Sequence, residues 1–297
     1  MSENRIALIA PAKVNLLLSV GARRPDGYHD VVTILQALDA RLADTVEIEA
    51  APSLSVSCVP DIGVPSGENL VYRALVRLGE LAGKPPDLTV VVRKSIPAGG
   101  GLGGASSDAA AALVGACRLW GLDAHSPEVT GLAASLGADV PFFISGGTAL
   151  YSGKGEVLVR RLETPPLEMV VINPGVPVST PAAYAAFDRL IGAKASDPAE
   201  MLDALAKGDP AGIAACLGNN MSEAAVDLAP EVGDALRFLS QSEGILGCLV
   251  SGSGSSVFGI CENECSAAQV AAAASMRDGW RGYATSAFAG GITDAGT

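Results

Sequence analysis

Short apolar runs of strand length punctuate the start of the chain, at 6–10, 14–20, 31–38, 45–48 and 88–92, each rich in Val, Ile and Leu, with turn residues between most of them. Runs of this length and make-up, bounded by turn residues, predict a chain that begins as a sheet. Between the last two runs the period changes. Leu70, Val71, Ala74, Leu75, Leu78, Leu81 and Ala82 recur at helical spacing, with Asn69 in front as an N-cap and Gly83 and Pro85 behind as a stop. A second helix is predicted over 105–120 and ends at Gly121; a third begins at Pro127, capped by Ser126, and ends at Gly137.

Past a charged, proline-bearing stretch at 161–166 the pattern alternates. Helices are predicted near 181–191, 199–205, 210–217, 230–240 and 266–274, and strands near 169–172, 245–250, 257–260 and 283–288. Strands and helices in this order predict an α+β protein, and the polar stretch is the natural place for a boundary, giving domains 1–163 and 164–297. No internal repeat is visible.

Composition narrows the function. The 297 residues carry a formal net charge of −12, which argues against a nucleic-acid or anionic-membrane partner, because such surfaces need clustered Lys and Arg. An anionic ligand must therefore be held by local geometry. Mean hydropathy is +0.35, yet the longest apolar stretch, 109–117, is broken by Arg118 well short of a membrane span. The start of the chain enters a strand pattern at once, with no signal-peptide or transit signature, so a soluble cytoplasmic protein is expected. The six cysteines, Cys58, Cys117, Cys216, Cys248, Cys261 and Cys265, form no CxxC pair and are expected as small buried hydrophobes, not metal ligands.

The candidate chemistry centres on Gly99, Gly100, Gly101, Gly103 and Gly104, which lie between Pro97 and the serines Ser106 and Ser107. Glycine backbone can take positive φ and approach a ligand closely, and a helix starting just after it turns its unpaired N–H groups toward the same point. That is a cradle for phosphate. No lysine follows Gly104, so the loop is not a Walker loop, and the dinucleotide fingerprint fits poorly. Lys13 and Asn15 alternate with apolar neighbours and so share one strand face, where the lysine is either solvated or an anion partner. Asp139, in Gly137-Ala138-Asp139-Val140-Pro141, either caps a turn or accepts a proton from an attacking hydroxyl. A second glycine-serine turn, Ser251-Gly252-Ser253-Gly254-Ser255-Ser256, lies between two strands, and Arg24-Pro25-Asp26-Gly27-Tyr28-His29 and Tyr184 supply rings that either pack or stack on a flat base.

The run from Pro97 to Ala110 resembles the nucleotide loop of the GHMP kinases, the superfamily of galactokinase, homoserine kinase and mevalonate kinase. Pro11-Ala12-Lys13-Val14-Asn15-Leu16 followed by Arg24 to His29 is similar to the branch that phosphorylates a cytidine diphosphate-linked methylerythritol in non-mevalonate isoprenoid biosynthesis. The likeness runs from Pro11 to Phe258. It implies an N-terminal domain like domain 2 of ribosomal protein S5, a ferredoxin-like C-terminal domain and an active site between them. It further implies ATP as co-substrate, magnesium, and Lys13 and Asp139 as catalytic residues. Asn15, Tyr28, His29, Thr180 and Tyr184 are then the substrate contacts. Pro97, Ala98, Gly99, Gly100, Gly101, Leu102, Gly103, Gly104, Ala105, Ser106 and Ser107 are the ATP contacts. Ala105 replaces a glycine of many relatives and Tyr184 a phenylalanine, with little physical consequence. Two alternatives stay open: a GHMP kinase for homoserine, mevalonate or a sugar, and a non-catalytic nucleotide sensor.

Overall fold

The computed structural model describes residues 5–190 and 196–296. The chain opens with β1 (Arg5–Pro11), β2 (Lys13–Arg23), β3 (His29–Ala37), β4 (Ala43–Ala50) and β5 (Ser55–Val59), then α1 (Leu70–Ala82) and β6 (Leu88–Arg93). The glycine-rich segment leads into α2 (Gly104–Trp120), α3 (Pro127–Leu136) and α4 (Val140–Ser145), followed by β7 (Thr148–Ser152) and β8 (Val157–Leu162). After β9 (Glu168–Asn173) come α5 (Thr180–Phe187), α6 (Ala199–Lys207), α7 (Pro210–Ala215), the two-residue β10 (Gly218–Asn219), α8 (Ser222–Leu228) and α9 (Pro230–Ser240). The chain closes with β11 (Ile245–Val250), β12 (Val257–Cys261), α10 (Glu264–Ser275), β13 (Arg281–Ser286) and β14 (Thr293–Asp294). No helix among the described residues is long and apolar enough to cross a membrane.

Three sheets result, ordered β14-β1-β4-β6-β5, β10-β2-β3-β7-β8 and β11-β12-β9-β13. The third is antiparallel throughout, with the split order in which β9, β11, β12 and β13 of the chain become 2-3-1-4 across the sheet. That is the ferredoxin-like arrangement expected of the C-terminal half. In the N-terminal half, α2 is buried from Ser107 to Cys117, as a helix apolar on every side must be. Its small residues let it lie close to the first sheet: a side chain at Gly115 would collide with Ile48. The same core takes in Leu75 and Leu78 of α1 and Phe142 and Phe143 of α4.

Every helix and strand placed by periodicity is present, with edges moved by a few residues. The predicted 181–191 helix is observed as α5, Thr180–Phe187, and Ile191 lies outside the described residues. The last predicted strand, 283–288, is observed two residues earlier. Periodicity missed β5 and β8, which are exposed along much of their length, the buried five-residue β7, and β10 and β14, which have two residues each. It also missed α4, whose six residues Val140–Ser145 are too few to show a helical period, and α8, Ser222–Leu228.

The expected cut at 163/164 falls between β8 and β9, but strands cross it. β10 runs parallel to β2, with Gly218 opposite Leu17, and β14 pairs with β1, with Leu8 opposite Asp294. One buried cluster joins Val14, Leu16 and Ile34 to Met169, Val171 and Phe258. The cleft between the halves is thus braced on both sides by shared sheet and shared core.

Candidate active site

Between Arg93 at the end of β6 and Gly104 at the start of α2, the backbone takes positive φ at Gly99, Gly101 and Gly103, of 67, 73 and 75°. A Cβ at Gly101 would overlap the carbonyl of Ser251, and one at Gly103 would lie 2.7 Å from the Phe143 ring and 3.1 Å from Lys13 Cγ. The loop's carbonyls are committed to the protein: Gly100 O accepts from Ser256 N at 3.0 Å, Leu102 O from Lys13 N at 3.0 Å, and Gly101 O from Ser251 Oγ at 3.0 Å. What remains for an anion is the N–H groups. α2 adds to them, since Gly103 has no side chain to cap its first turn.

β2 presents Lys13 beneath this loop. Its ammonium donates to Asn15 Oδ1 at 2.7 Å, Asn15 Nδ2 donates to Thr33 Oγ1 at 2.8 Å, and the Thr33 hydroxyl donates to Leu17 O at 2.7 Å. The lysine and the asparagine are both buried. Asp139 stands at the N-terminus of α4 without capping it, its Oδ2 3.6 Å from Lys13 Nζ and its side chain about a third exposed. The carboxylate is therefore available on the open side of the lysine. The glycine-serine turn after β11 folds over the same point: a Cβ at Gly252 would sit 3.3 Å from Lys13 Nζ. Asn219 of β10 anchors that turn, donating to Val250 O at 2.9 Å and Gly252 O at 2.8 Å, and Thr180 reaches it through Ser253 at 3.0 Å.

A set of rings occupies the other end of the cleft. His29 is buried and packs against Tyr184, centroids 5.2 Å apart, and edge-on to Phe187 at 6.0 Å. Its Nε2–H donates to Asp188 Oδ1 at 2.7 Å. Tyr28 is more than half exposed, with the Lys154 ammonium 3.7 Å above its ring. Burial, and then the charge of Asp139, push the Tyr184 phenol above its usual range, so it stays a neutral ring. The hydrogen bond from Tyr28 N–H holds Asp26 below the usual carboxylate range.

The cavity spans about 1350 Å³ and is lined by Lys13, Asn15, Tyr28, His29, Asp139, Thr180, Tyr184 and the loop from Pro97 to Ser106. A single ligand of drug size occupies roughly 300–1,000 Å³, so the cleft has room for two. Ser107 is the one sequence-assigned residue that does not line it; its hydroxyl is buried with no partner in the protein.

Sequence reasoning passed over a buried ion cluster at the base of the loop. Lys94 Nζ pairs with Asp44 and, at 2.6 Å, with Asp108 Oδ2. Burial pushes the Asp108 carboxyl up to about 7 against the pull of Lys94. Lys94 is raised, burial being outweighed by the two carboxylates. A charged residue set among the alanines of α2 was the available signal. Asn219 had no signal at all, because its role depends on a strand pairing between distant segments.

Residues 69–147 match the GHMP kinases N terminal domain and residues 201–277 the GHMP kinases C terminal domain. A 4-diphosphocytidyl-2-C-methyl-D-erythritol kinase of Nocardia farcinica is 44% identical over 89% of this chain and 87% of its own length. A crystal structure of a 4-(cytidine 5′-diphospho)-2C-methyl-D-erythritol kinase superposes with a TM-score of 0.79 at 37% identity, over 95% of this chain and all (100%) of that one. A homoserine kinase of Cytophaga hutchinsonii superposes nearly as well, TM-score 0.78 over 99% of this chain and 98% of that one, at only 22% identity. The backbone is thus common to kinases of different acceptors, while sequence separates them. With both GHMP domains matched and this degree of identity along almost its whole length, the chain belongs to the 4-diphosphocytidyl-2-C-methyl-D-erythritol kinase family of the GHMP kinases.

Proposed function

We propose that this cleft transfers the γ-phosphate of ATP to the 2-hydroxyl of 4-diphosphocytidyl-2-C-methyl-D-erythritol, a step in isoprenoid precursor synthesis. The observation that carries the reading is the Lys13–Asp139 pair, 3.6 Å apart under the glycine loop. The residues from Ala98 to Ser106 cradle the ATP phosphates through loop N–H groups and the uncapped start of α2, with Pro97 at the mouth of the loop; Ser107, whose N–H donates to Gly103 O, takes no direct part. Each such charge-assisted hydrogen bond contributes roughly 1.5–3 kcal/mol. The acceptor hydroxyl lies against Asp139, which takes its proton as the bond to phosphorus forms. Lys13, held in place by Asn15 and Thr33, stabilises charge on the phosphoryl group in flight. The Gly252–Ser253 turn closes the site from the C-terminal side, and Thr180 lines it.

Tyr28, His29 and Tyr184 hold the cytosine. The base provides binding energy remote from the reacting hydroxyl and so helps to position it. Magnesium is part of the same proposal. Among the described residues no cluster of three or more His, Cys, Asp and Glu side chains could hold an ion; magnesium commonly binds through one or two carboxylates, substrate phosphates and water. Asp139 and Ser106 are oxygen donors of the kind it prefers, and its charge would screen the phosphates. We place the reaction in the cytoplasm.

The test is phosphoryl transfer from γ-labelled ATP to the cytidylyl substrate, to free methylerythritol, to homoserine and to mevalonate. The cytidylyl substrate should be preferred by orders of magnitude in kcat/KM. Equal turnover of homoserine or mevalonate would return the protein to an unspecified GHMP kinase, and binding without turnover to a nucleotide sensor.

A further inference from the structure

The glycine loop starts and ends at two oppositely charged, buried side chains. Lys94 leaves β6 and Asp108 sits one turn into α2, and the ammonium joins them at 2.6 Å. The bridge closes residues 95–107 into a ring. Asp44, fully buried on β4, completes it from below: its Oδ2 takes the Lys94 ammonium, while its Oδ1 accepts the N–H groups of Ser95 at 2.5 Å and Ile96 at 2.9 Å. One carboxylate thus fixes both the direction in which the chain leaves β6 and the lysine that reaches across to α2. Asp108 has no second role within the protein, for its Oδ1 is buried without a partner. A carboxylate kept from water for a single contact is costly unless that contact matters. The ammonium also lies against the start of the helix: a Cβ at Gly104 would sit 3.4 Å from Lys94 Nζ.

We propose that Asp44 and Asp108 are positioning residues for nucleotide binding, acting through Lys94 to hold the two ends of the glycine loop at the spacing in which its N–H groups converge. The proposal rests on the assignment of that loop to ATP. A loop with three glycines at positive φ has many alternative conformations once its ends are released, and ordering it on binding then weakens the ligand. Lys94 and Asp108 also line the cleft, but neither carboxylate bonds to Lys13, Asn15, Asp139, His29 or Tyr184, their partners being Lys94, Ser95 and Ile96, so the loss should fall on ATP alone.

Asp108→Ala removes the bridge, whereas Asp108→Asn keeps an amide oxygen that can accept from Lys94. In the full-length enzyme, Asp108→Ala should raise the KM for ATP at least tenfold, with kcat at saturating ATP and the KM for the cytidylyl substrate within about twofold of wild type; a tenfold change corresponds to about 1.4 kcal/mol. Asp108→Asn should recover most of the ATP affinity. Amide hydrogen exchange over 95–104 should be faster in nucleotide-free Asp108→Ala than in wild type, and equal once a non-hydrolysable ATP analogue saturates both. A folded Asp108→Ala with wild-type KM for ATP and wild-type exchange overturns the proposal. So does a parallel loss in both KM values and kcat, which marks a general structural role. Should Asp108→Ala fail to fold, Asp44→Asn, which keeps the volume but loses the charge that grips Lys94, reads the same quantities. Calorimetry of the wild type with the ATP analogue separates the two layers: if it binds, failure of the variants refutes only the positioning role, and if it does not, the ATP assignment falls too.

Discussion

Replacing Gly103 by alanine is the smallest perturbation that reaches both the glycine loop and the Lys13–Asp139 pair proposed to be catalytic. The residue has a φ of 75°, where an L side chain is strained by roughly 1–2 kcal/mol. Its new methyl would lie 2.7 Å from Cζ and 2.8 Å from Cε2 of Phe143, a fully buried ring, and 3.1 Å from Lys13 Cγ. Both neighbours must yield, and overpacking of this kind costs about 1–3 kcal/mol. The total is about 2–5 kcal/mol, from the sum of the two ranges. Gly121→Ala is the matched control. Gly121 has a φ of 70° with nothing within 4 Å of its Cβ position, so it should show the strain alone. Urea melts should therefore place Gly103→Ala below Gly121→Ala by about 1–3 kcal/mol. Steady-state kinetics should show kcat/KM for ATP at least tenfold down in Gly103→Ala and unchanged in Gly121→Ala. Because the methyl presses on Lys13, kcat should fall as well as affinity. If the two variants match in stability and Gly103→Ala keeps its kcat/KM for ATP, the packing argument and the cradle assignment are both wrong.

Asp139→Asn should leave the fold and ATP binding intact and lower kcat by roughly 10²–10⁴; near-normal turnover would reduce Asp139 to a minor electrostatic contributor. Tyr184→Ala should weaken the cytidylyl substrate by about 5- to 150-fold, from roughly 1–3 kcal/mol of stacking, and His29→Ala should weaken it too, while calorimetry finds ATP affinity unchanged; equal losses for both ligands would speak against base recognition. Asp108 has a pH signature. Its folded-state carboxyl is held at about 7 against an ordinary 3.8, so its favourable contribution is complete below the lower value and is lost as pH rises through the upper one. Wild type should therefore lose stability relative to Asp108→Asn as pH rises from 5 to 8, and urea melts with a pH-independent gap would show that the carboxyl is already ionised throughout.

Much of this protein could be read from local signals. Asn69 and Ser126 cap α1 and α3 by accepting from Val71 and Val129, and Gly83 and Gly121 end their helices in the left-handed conformation, because caps and stops are set by the few residues at a helix end. The glycine loop leading into α2 was equally legible, since clustered glycines before a helical pattern mark a turn with positive φ. Short, exposed or six-residue elements were not, because periodicity needs length and one-sided burial to show itself.

What only the tertiary structure decided is which distant residues meet. Local pattern gave no hint that Asn219 holds the Gly252 turn above Lys13, that Asp188 takes the His29 ring, or that Lys94 bridges Asp44 to Asp108. Nor does it show that a side chain at Gly103 would meet Phe143 and Lys13. The sequence by itself determined the motifs and the elements that carry them, because those rest on interactions within a few residues. Contacts between segments far apart in the chain are set by how three sheets and their helices pack, and a one-dimensional pattern does not contain that geometry.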